Sequence, residues 1–381
     1  MNDFDWIDTQ RDFEMLVDEL CETQAYALDT EFHRERTYLP VLAVIQVATP
    51  DRIALVDPLA VDVQPLRKAL EADTVCVMHA ASQDLEILEL VCGVAPRRLF
   101  DTQIAALFCG YRTSSLGKLV EGFLGLELDK SAQLSDWTRR PLPAADLAYA
   151  ASDVAHLLAL RDTLSAALDA RGRLGWAHEE IERLRSKDRS QSDPRTLWWK
   201  LRGKAKLGAK ARGVAQELAA WREDEARRRN KPVRSVLSDM ALLSLAQRPV
   251  RDAAQLRGIR NFDAQRFKHA DALLAAIRRG VQLSPSDVRL PPKKPANVAN
   301  VDGIVSLCLA WLAQRASEEN LDTTVLGTRE DVTNLVLEQP SRLSDGWRHD
   351  LVGRELSSII GGTAALCVKG AALQLVDRPP S

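Results

Sequence analysis

Four carboxylates and one phenol stand at spacings that could assemble a hydrolytic site. Asp29 and Glu31 are two residues apart in the apolar stretch AYALDTEF, and on a β-strand such residues point to the same face. Asp84 follows a second apolar stretch, VCVMHA. Tyr149 and Asp153 are four residues apart in LAYAASDV, a spacing that places both on one face of a helix.

The pair of Asp29 and Glu31 needs a physical reason. Ala27 shares their face of the strand and Leu28 lies on the other, so both faces are predicted to be covered. Two covered carboxylates repel each other and lose hydration. A bound cation would relieve that repulsion, and hard divalent cations prefer carboxylate oxygens. For each acid taken alone, the alternative is an ordinary solvated strand end or helix start.

The elements that must position these residues have the pattern of an α/β domain. Strands are predicted over 25–32, 42–48, 53–57 and 75–80. The turn-like TPDR between the second and third strands predicts a hairpin, so the sheet is expected to be mixed. Helices are predicted over 82–91, 101–110 and 115–125, followed by one long helix from about 143 to 172. From about residue 190 onward no strand is predicted.

The sequence predicts one α/β domain followed by two small helical domains. The α/β domain occupies 1–190, a first all-α domain 205–285, a Pro-rich linker 286–300 and a second, degenerate all-α domain 301–376. The two helical regions are similar at an offset of 90 residues, since LAAWR begins at residue 218 and CLAWL at residue 308. This similarity predicts the duplication of a small helical domain.

Charge is distributed unevenly, although the whole chain of 381 residues has a net charge of only −2. Residues 195–235 contain thirteen Lys and Arg against four acids, with three tryptophans among them. Basic residues interleaved with aromatic ones are typical of surfaces that bind nucleic acids. Lys204, Lys206 and Lys210 are the candidate phosphate contacts of this segment. An ordinary solvated helical surface over buried tryptophans is the alternative.

The cysteines and the N-terminus indicate the compartment. The six cysteines are far apart and form no C-x-x-C pair, as expected for reduced thiols in a cytoplasmic protein. The acidic start MNDFDWID lacks the basic and apolar segments of a signal peptide. No apolar run approaches the roughly 20 residues needed to cross a bilayer. We therefore expect a cytoplasmic protein with no membrane partner.

The acids in the order D-x-E, D and Y-x-x-x-D resemble the DEDD 3′→5′ exonucleases in their tyrosine form. Ala148 stands where the histidine form of that superfamily carries its histidine. The stretches LDTEFHRERTYLPVLAVIQVA, HAASQDLEIL, FDTQIAAL, LDKSAQLSDWTRRPLP and LAYAASDV are, in this order, similar to the ribonuclease D family. The two helical regions resemble the HRDC domains that follow the nuclease domain in that family.

This resemblance implies an RNase H-like fold and removal of nucleotides from RNA 3′ ends as 5′-mononucleotides. It implies that Asp29, Glu31, Asp84 and Asp153 hold two divalent cations, Mg²⁺ or Mn²⁺, which serve hydrolysis by activating water and neutralising the leaving oxygen. Tyr149 would orient the attacking water. The implied substrates are tRNA precursors and other small structured RNAs with free 3′ ends. The protein is expected to act as a monomer without a nucleotide cofactor.

The segment DKSAQLSDWTRRPLP is a candidate wall of the substrate path. Lys130, Arg139 and Arg140 could bind phosphates there, and Trp137 could stack on a base. For each of the three cations a solvated surface position is the alternative. For Trp137, packing in the core is the favoured interpretation.

Other functions are compatible with part of this pattern. A DNA exonuclease would use the same chemistry, because sugar preference depends on contacts to the 2′-hydroxyl that the sequence does not locate. A non-catalytic RNA-binding protein is disfavoured, since all four acids and the tyrosine are present. A helicase is disfavoured as well, because the phosphate-binding pattern G-x-x-x-x-G-K-[ST] does not occur.

Overall fold

The computed structural model describes residues 4–112, 115–128, 135–189, 193–257, 259, 270–291 and 298–378. The chain forms two compact units. Unit 1 consists of Met1–Glu31, Leu42–Lys187 and Pro295–Ser381, and unit 2 consists of Phe32–Val41 and Asp188–Lys294. Each unit is therefore discontinuous in sequence. Among the described residues, no helix combines the length and apolar character needed to span a membrane.

Unit 1 is built on a mixed sheet. Its strands within the described residues are β1 (Asp5–Ile7), β2 (Ala25–His33), β3 (Val41–Ala48), β4 (Ile53–Val56), β5 (Val75–Met78) and β6 (Arg98–Asp101), in the spatial order β1-β4-β3-β2-β5-β6. Strands β3 and β4 are antiparallel, whereas β1 with β4, β2 with β5 and β5 with β6 are parallel. The predicted hairpin and the mixed sheet are confirmed.

Helices make up most of the rest of the described residues. They are α1 (Gln10–Glu22), α2 (Leu66–Glu71), α3 (Ser82–Cys92), α4 (Thr102–Phe108), α5 (Leu116–Leu124), α6 (Ala144–Ala155), α7 (Leu157–Asp169), α8 (Leu174–Arg185), α9 (Ala209–Arg229), α10 (Val233–Val236), α11 (Asp239–Gln247), α12 (Ala253–Leu256), α13 (Ala270–Gln282), α14 (Val298–Glu318), α15 (Thr323–Leu326), α16 (Arg329–Val336), α17 (Gly346–Arg348) and α18 (Arg354–Ile360). The predicted long helix is wrong in one respect, because His156 interrupts it with φ −113° and ψ 0° between α6 and α7.

The C-terminal region of unit 1 ends in an antiparallel hairpin of β7 (Ala364–Lys369) and β8 (Ala372–Asp377). The expectation that no strand follows residue 190 is therefore wrong. Gly370 opens the turn between the two strands at φ +64°, a conformation that glycine adopts without the steric cost of a side chain. Two short apolar runs joined by this tight turn form strands rather than a further helix.

The same C-terminal region shares a hydrophobic core with the sheet domain. The Trp347 ring stacks on the Trp176 ring at 5.0 Å and meets the edge of Phe108 at 5.2 Å. Arg348 is only 1% exposed, and its guanidinium donates to the Glu180 carboxylate and to two backbone carbonyls. A buried arginine is tolerated only with such complete pairing, so this contact belongs to the fold of unit 1.

Unit 2 is helical, and its core forms around α9, α11 and α13. Before α9 the chain makes 3₁₀ turns over Pro194–Lys200 and Lys204–Lys206. Trp198 and Trp221 are buried, and the indole N–H of Trp198 donates to the carbonyl of Arg289 at 3.1 Å. These two tryptophans of the basic segment are therefore core residues. This agrees with the alternative interpretation of the segment, a solvated helical surface over buried tryptophans.

The two helical regions have corresponding elements. Helices α9 and α14 both have 21 residues, and α10 and α15 both have four. Trp221 and Trp311 stand 90 residues apart in the sequence and are both buried. Ser238 caps α11 and Thr328 caps α16, again at an offset of 90. These correspondences support the duplication proposed from the sequence.

Candidate active site

Strand β2 brings two of the predicted acids to a third. It lies between β3 and β5 in the sheet, and Asp29 and Glu31 share one face near its C-terminal end. Asp153 of α6 joins them, since one carboxylate oxygen from each of the three side chains lies within 4.8 Å of the other two. All three side chains are partly exposed. The structure thus assembles an acidic cluster from residues more than 120 positions apart.

Asp84 is attached to the same strand through a hydroxyl. It lies in the first turn of α3 and is 6% exposed. The Thr30 hydroxyl donates to Asp84 Oδ1 at 2.5 Å. Because Thr30 stands between Asp29 and Glu31, this bond fixes the fourth acid beside the strand that carries the first two.

A buried carboxylate holds the turn that delivers Asp84. Asp101 is 1% exposed and accepts the backbone N–H of Ala80 at 3.3 Å and of Ala81 at 2.8 Å. Ala80 has φ +57°, a conformation that costs a non-glycine residue about 1 kcal/mol or more. Asp101 also caps α4, so one side chain fixes both the strained turn and the start of the next helix.

Sequence reasoning missed Thr30 as a residue of the site. A signal was present, because Thr30 is a small polar residue on a strand face otherwise filled by the large side chains of Tyr26, Leu28 and Phe32. His79 follows β5, and its Nδ1 lies 2.9 Å from the Thr102 hydroxyl oxygen.

Tyr149 reaches the acidic cluster from α6. Its hydroxyl interacts with the Asp153 carboxylate one helical turn later, as the four-residue spacing predicts. The Trp137 ring lies against it, with the ring centroids 6.3 Å apart. The tyrosine is half-buried, so its hydroxyl has access to a ligand at the cluster.

Burial and mutual repulsion raise the pKa of the clustered acids. Burial, followed by the charges of Asp84 and Asp153, raises the pKa of Asp29 well above its ordinary value. Burial and the same two charges raise the pKa of Glu31 to about 8. Burial raises the pKa of Asp153 to about 7, although the Tyr149 hydrogen bond opposes the shift. Without a cation, this cluster therefore retains protons near neutral pH.

Burial also raises the pKa of Tyr149 above its ordinary value, and the charges of Asp153, Glu31 and Asp29 add to the shift. The hydroxyl is therefore protonated at neutral pH. A protonated phenol is a hydrogen-bond donor and positions a neighbouring oxygen, whereas it is a poor general base.

The donor set fits a hard divalent cation. Every side chain of the cluster offers oxygen, and none of the histidines or cysteines among the described residues belongs to the cluster. A divalent charge would remove the repulsion that raises the pKa values of these carboxylates. Carboxylate oxygens are the ligands that Mg²⁺ and Mn²⁺ prefer.

Metal binding is expected to grow stronger as pH rises from 6 to 8.5. The folded chain without metal holds more protons on Glu31 and Asp153 than the unfolded chain, so its stability falls as pH rises from about 5 to 8. Added Mn²⁺ or Mg²⁺ replaces those protons. The measurement is the rise in Tm on adding Mn²⁺, which we expect to be larger at pH 8.5 than at pH 6. A rise in Tm of equal size at both pH values would contradict proton displacement. The variant Asp29→Asn serves as the control, in which the rise in Tm on adding Mn²⁺ should be smaller.

The chain is similar to known exonucleases over most of its length. A family model described as 3′-5′ exonuclease matches residues 4–169, and the HRDC domain matches residues 211–277. Ribonuclease D of Granulibacter bethesdensis is 35% identical over 359 residues, which cover 92% of this chain and 90% of that protein. Ribonuclease D of Jannaschia sp. is 34% identical over 370 residues, covering 93% and 95%. The chain belongs to the ribonuclease D family. It is a metal-dependent 3′→5′ exoribonuclease.

A solved structure agrees with this family assignment. The crystal structure of Escherichia coli RNase D, described as an exoribonuclease involved in structured RNA processing, superposes with a TM-score of 0.84 at 28% identity, covering 95% of this chain and 99% of that one. The ribonuclease D fold predicted here, a mixed-sheet nuclease domain followed by helical regions that include an HRDC domain, is confirmed.

The other predicted substrate contacts of this ribonuclease D family member differ in their exposure. Lys130 falls outside the described residues. Arg139 is exposed. In unit 2, Lys206 and Lys210 are exposed, whereas Lys204 is half-buried and its ammonium donates to the carbonyl of Trp199.

The contacts of Arg140 differ from the predicted one. It was predicted to hold a phosphate, but its guanidinium donates to Asp57 through Nε and Nη2, both at 2.6 Å. Its other N–H groups donate to the carbonyls of Ala43, Trp137 and Arg139. A guanidinium has five N–H groups, and these contacts use all of them. Arg140 is therefore a structural residue of the nuclease domain.

Proposed function

We propose that this ribonuclease D family member trims structured RNAs, including tRNA precursors, one 5′-mononucleotide at a time from their 3′ ends. The observation that carries the proposal is the cluster of Asp29, Glu31 and Asp153, with Tyr149 one helical turn before Asp153 on α6. The printed description of the Escherichia coli relative, structured RNA processing, supports the substrate class. A single-stranded 3′ end of a folded RNA is the part that such a side-chain cluster would receive.

Two divalent cations, Mg²⁺ or Mn²⁺, bound by Asp29, Glu31, Asp84 and Asp153 would activate water and neutralise the leaving oxygen. The protein contributes the arrangement. The carboxylates supply the oxygen ligands, and the Thr30 hydroxyl keeps Asp84 in one orientation.

Tyr149 performs the remaining task of this mechanism. Its protonated hydroxyl orients the attacking water in line with the scissile bond. Holding reactants in a productive geometry accounts for a large part of enzymatic rate enhancement. A tyrosine that only donates a hydrogen bond satisfies this requirement without losing its proton.

We propose that exposed cations make the RNA contacts beyond the cluster. Arg139 in unit 1 and Lys206 and Lys210 in unit 2 are exposed. Phosphate contacts by such residues make binding weaken steeply with salt. Lys204 is a weaker candidate, because its ammonium is already bonded to a carbonyl of the chain.

The protein is proposed to act as a cytoplasmic monomer. The four acids and the tyrosine all come from one chain, so the site is complete without a second copy. All six cysteines lie in the described part of the chain and are free thiols, as in proteins of reducing compartments.

The test is a gel assay on 5′-labelled structured RNA with a single-stranded 3′ tail and on a DNA of matched sequence. We expect a ladder that shortens from the 3′ end, requires Mg²⁺ or Mn²⁺, disappears with EDTA and forms faster on RNA. A ladder of equal strength on DNA would indicate a general 3′→5′ exonuclease. Binding of RNA without any ladder would contradict the proposed function.

A further inference from the structure

The described segment that precedes α6, residues 135–143, is fastened by side-chain hydrogen bonds near both of its ends. At its start, the Ser135 hydroxyl donates to Asp146 Oδ1 at 2.8 Å, and Asp146 belongs to the first turn of α6. Near its end, Arg140 Nη2 donates to the Ala43 carbonyl of β3 at 2.7 Å. The loop therefore connects the helix that carries Tyr149 with the sheet.

A buried ion pair forms the second fastening. Asp57 follows β4 and is 5% exposed, and Arg140 donates to both of its oxygens at 2.6 Å. The hydrogen bonds from Arg140 hold the pKa of Asp57 below its ordinary value, although burial opposes this. The guanidinium also lies over the Trp6 ring at 5.6 Å. A planar guanidinium that donates to both oxygens of one carboxylate has little rotational freedom. The pair therefore fixes the local path of the chain.

Between the two fastenings, the chain presents Trp137. Arg140 Nη1 donates to the Trp137 carbonyl at 2.8 Å. The indole is 6% exposed and packs in a cluster with Ala150 and Ala151 of α6. Its ring lies 6.3 Å from the Tyr149 ring at an interplanar angle of 36°. The tyrosine ring thus has a rigid aromatic neighbour whose backbone is itself bonded to the ion pair.

We propose that Trp137, held by the Arg140–Asp57 pair, is a positioning residue for Tyr149 and so sets the rate of hydrolysis without contacting RNA. The inference rests on the proposed function, because it assigns Trp137 an effect only through Tyr149. A displacement of about 1 Å at a reacting group costs up to about 100-fold in rate. Supporting residues of this kind decide whether a reactive group is held in a productive geometry.

A double-mutant cycle on kcat tests the proposal. Trp137→Leu is expected to lower kcat about tenfold or more with KM unchanged, while Trp137→Phe retains most of the activity. In a chain that already carries Tyr149→Phe, adding Trp137→Leu should change kcat by less than about twofold, because the side chain that it positions lacks its hydroxyl. Losses that multiply independently, or a normal kcat for Trp137→Leu, would overturn the proposal. A normal kcat for Tyr149→Phe alone would instead reject the mechanism on which it rests.

Arg140→Lys provides a second test that keeps the charge and removes the fork. We expect kcat to fall several-fold, KM and the salt dependence of RNA binding to stay unchanged, and Tm of the metal-free protein to fall. Arg139→Ala, at the neighbouring exposed position, is expected to raise KM instead. A raised KM and a flatter salt dependence for Arg140→Lys, with kcat unchanged, would overturn the proposal and restore a phosphate-binding role.

Discussion

Asp153→Asn is expected to lower the rate of nucleotide release by about 1,000-fold or more, since a bound metal ion supplies several kcal/mol of transition-state stabilisation. Asparagine has the shape of aspartate but removes one negative ligand from the cluster with Asp29 and Glu31. The measurement is single-turnover release of the 3′ nucleotide from labelled RNA at saturating Mg²⁺. RNA binding measured in EDTA is expected to remain within a few-fold of the wild type.

The stability of this variant separates loss of function from loss of fold. Removing one of several repelling carboxylates is expected to leave Tm of the metal-free protein unchanged or higher, as is common for substitutions at strained sites. Asp162→Asn is the matched control, because Asp162 is exposed on α7 and paired with Arg161. A rate within tenfold of the wild type for Asp153→Asn would remove this residue from the metal site.

Tyr149→Phe is expected to lower kcat by about 100- to 10,000-fold, the range attributed to a positioned proton donor or acceptor. The substitution keeps the ring that packs on Trp137 and removes only the hydroxyl that interacts with Asp153. KM and the Mn²⁺-induced rise in Tm should remain close to those of the wild type. Phenylalanine has no titratable group, so raising the pH to 9 should not restore activity to the variant.

Tyr111→Phe is the control for this second prediction. Tyr111 is a half-buried tyrosine of unit 1 that packs on Phe123 with ring centroids 4.8 Å apart. Its hydroxyl is not part of the acidic cluster, so kcat should stay unchanged. If Tyr149→Phe retained near-normal turnover, orientation of the water would have to come from the carboxylates alone.

The acidic cluster could be predicted because its geometry follows from local periodicity. A two-residue spacing on a strand and a four-residue spacing on a helix fix which side chains share a face. Asp29 with Glu31 and Tyr149 with Asp153 both obey that rule in the structure. The order of strand, turn and helix then leaves few ways to place Asp84.

The environment of Arg140 could not be predicted in the same way. Its main partner, Asp57, is 83 residues earlier in the chain, and no periodicity connects two such positions. From sequence alone, an arginine next to Arg139 in a polar loop is indistinguishable from a phosphate ligand. The pairing depends on where β4 ends relative to the loop before α6, which is a property of the assembled sheet.

Two further features depended on long-range packing. Strand β6 has four residues and is defined by its pairing with β5 more than by its own pattern. The region 301–376 was expected to be a second, degenerate helical domain. It instead contributes Trp347 to a core with Phe108 and Trp176, and a buried tryptophan carries the same sequence signal in either arrangement.

This aromatic core has a consequence for how the protein is made. Trp347 is synthesised about 170 residues after Trp176, which at 5–20 residues per second is a delay of roughly 10 to 30 s. During that interval Phe108 and Trp176 lack the Trp347 ring that packs on both of them in the folded protein. Translation that stops upstream of Trp347 therefore yields an unfinished nuclease with an open core, and such a chain is a substrate for chaperones and proteases.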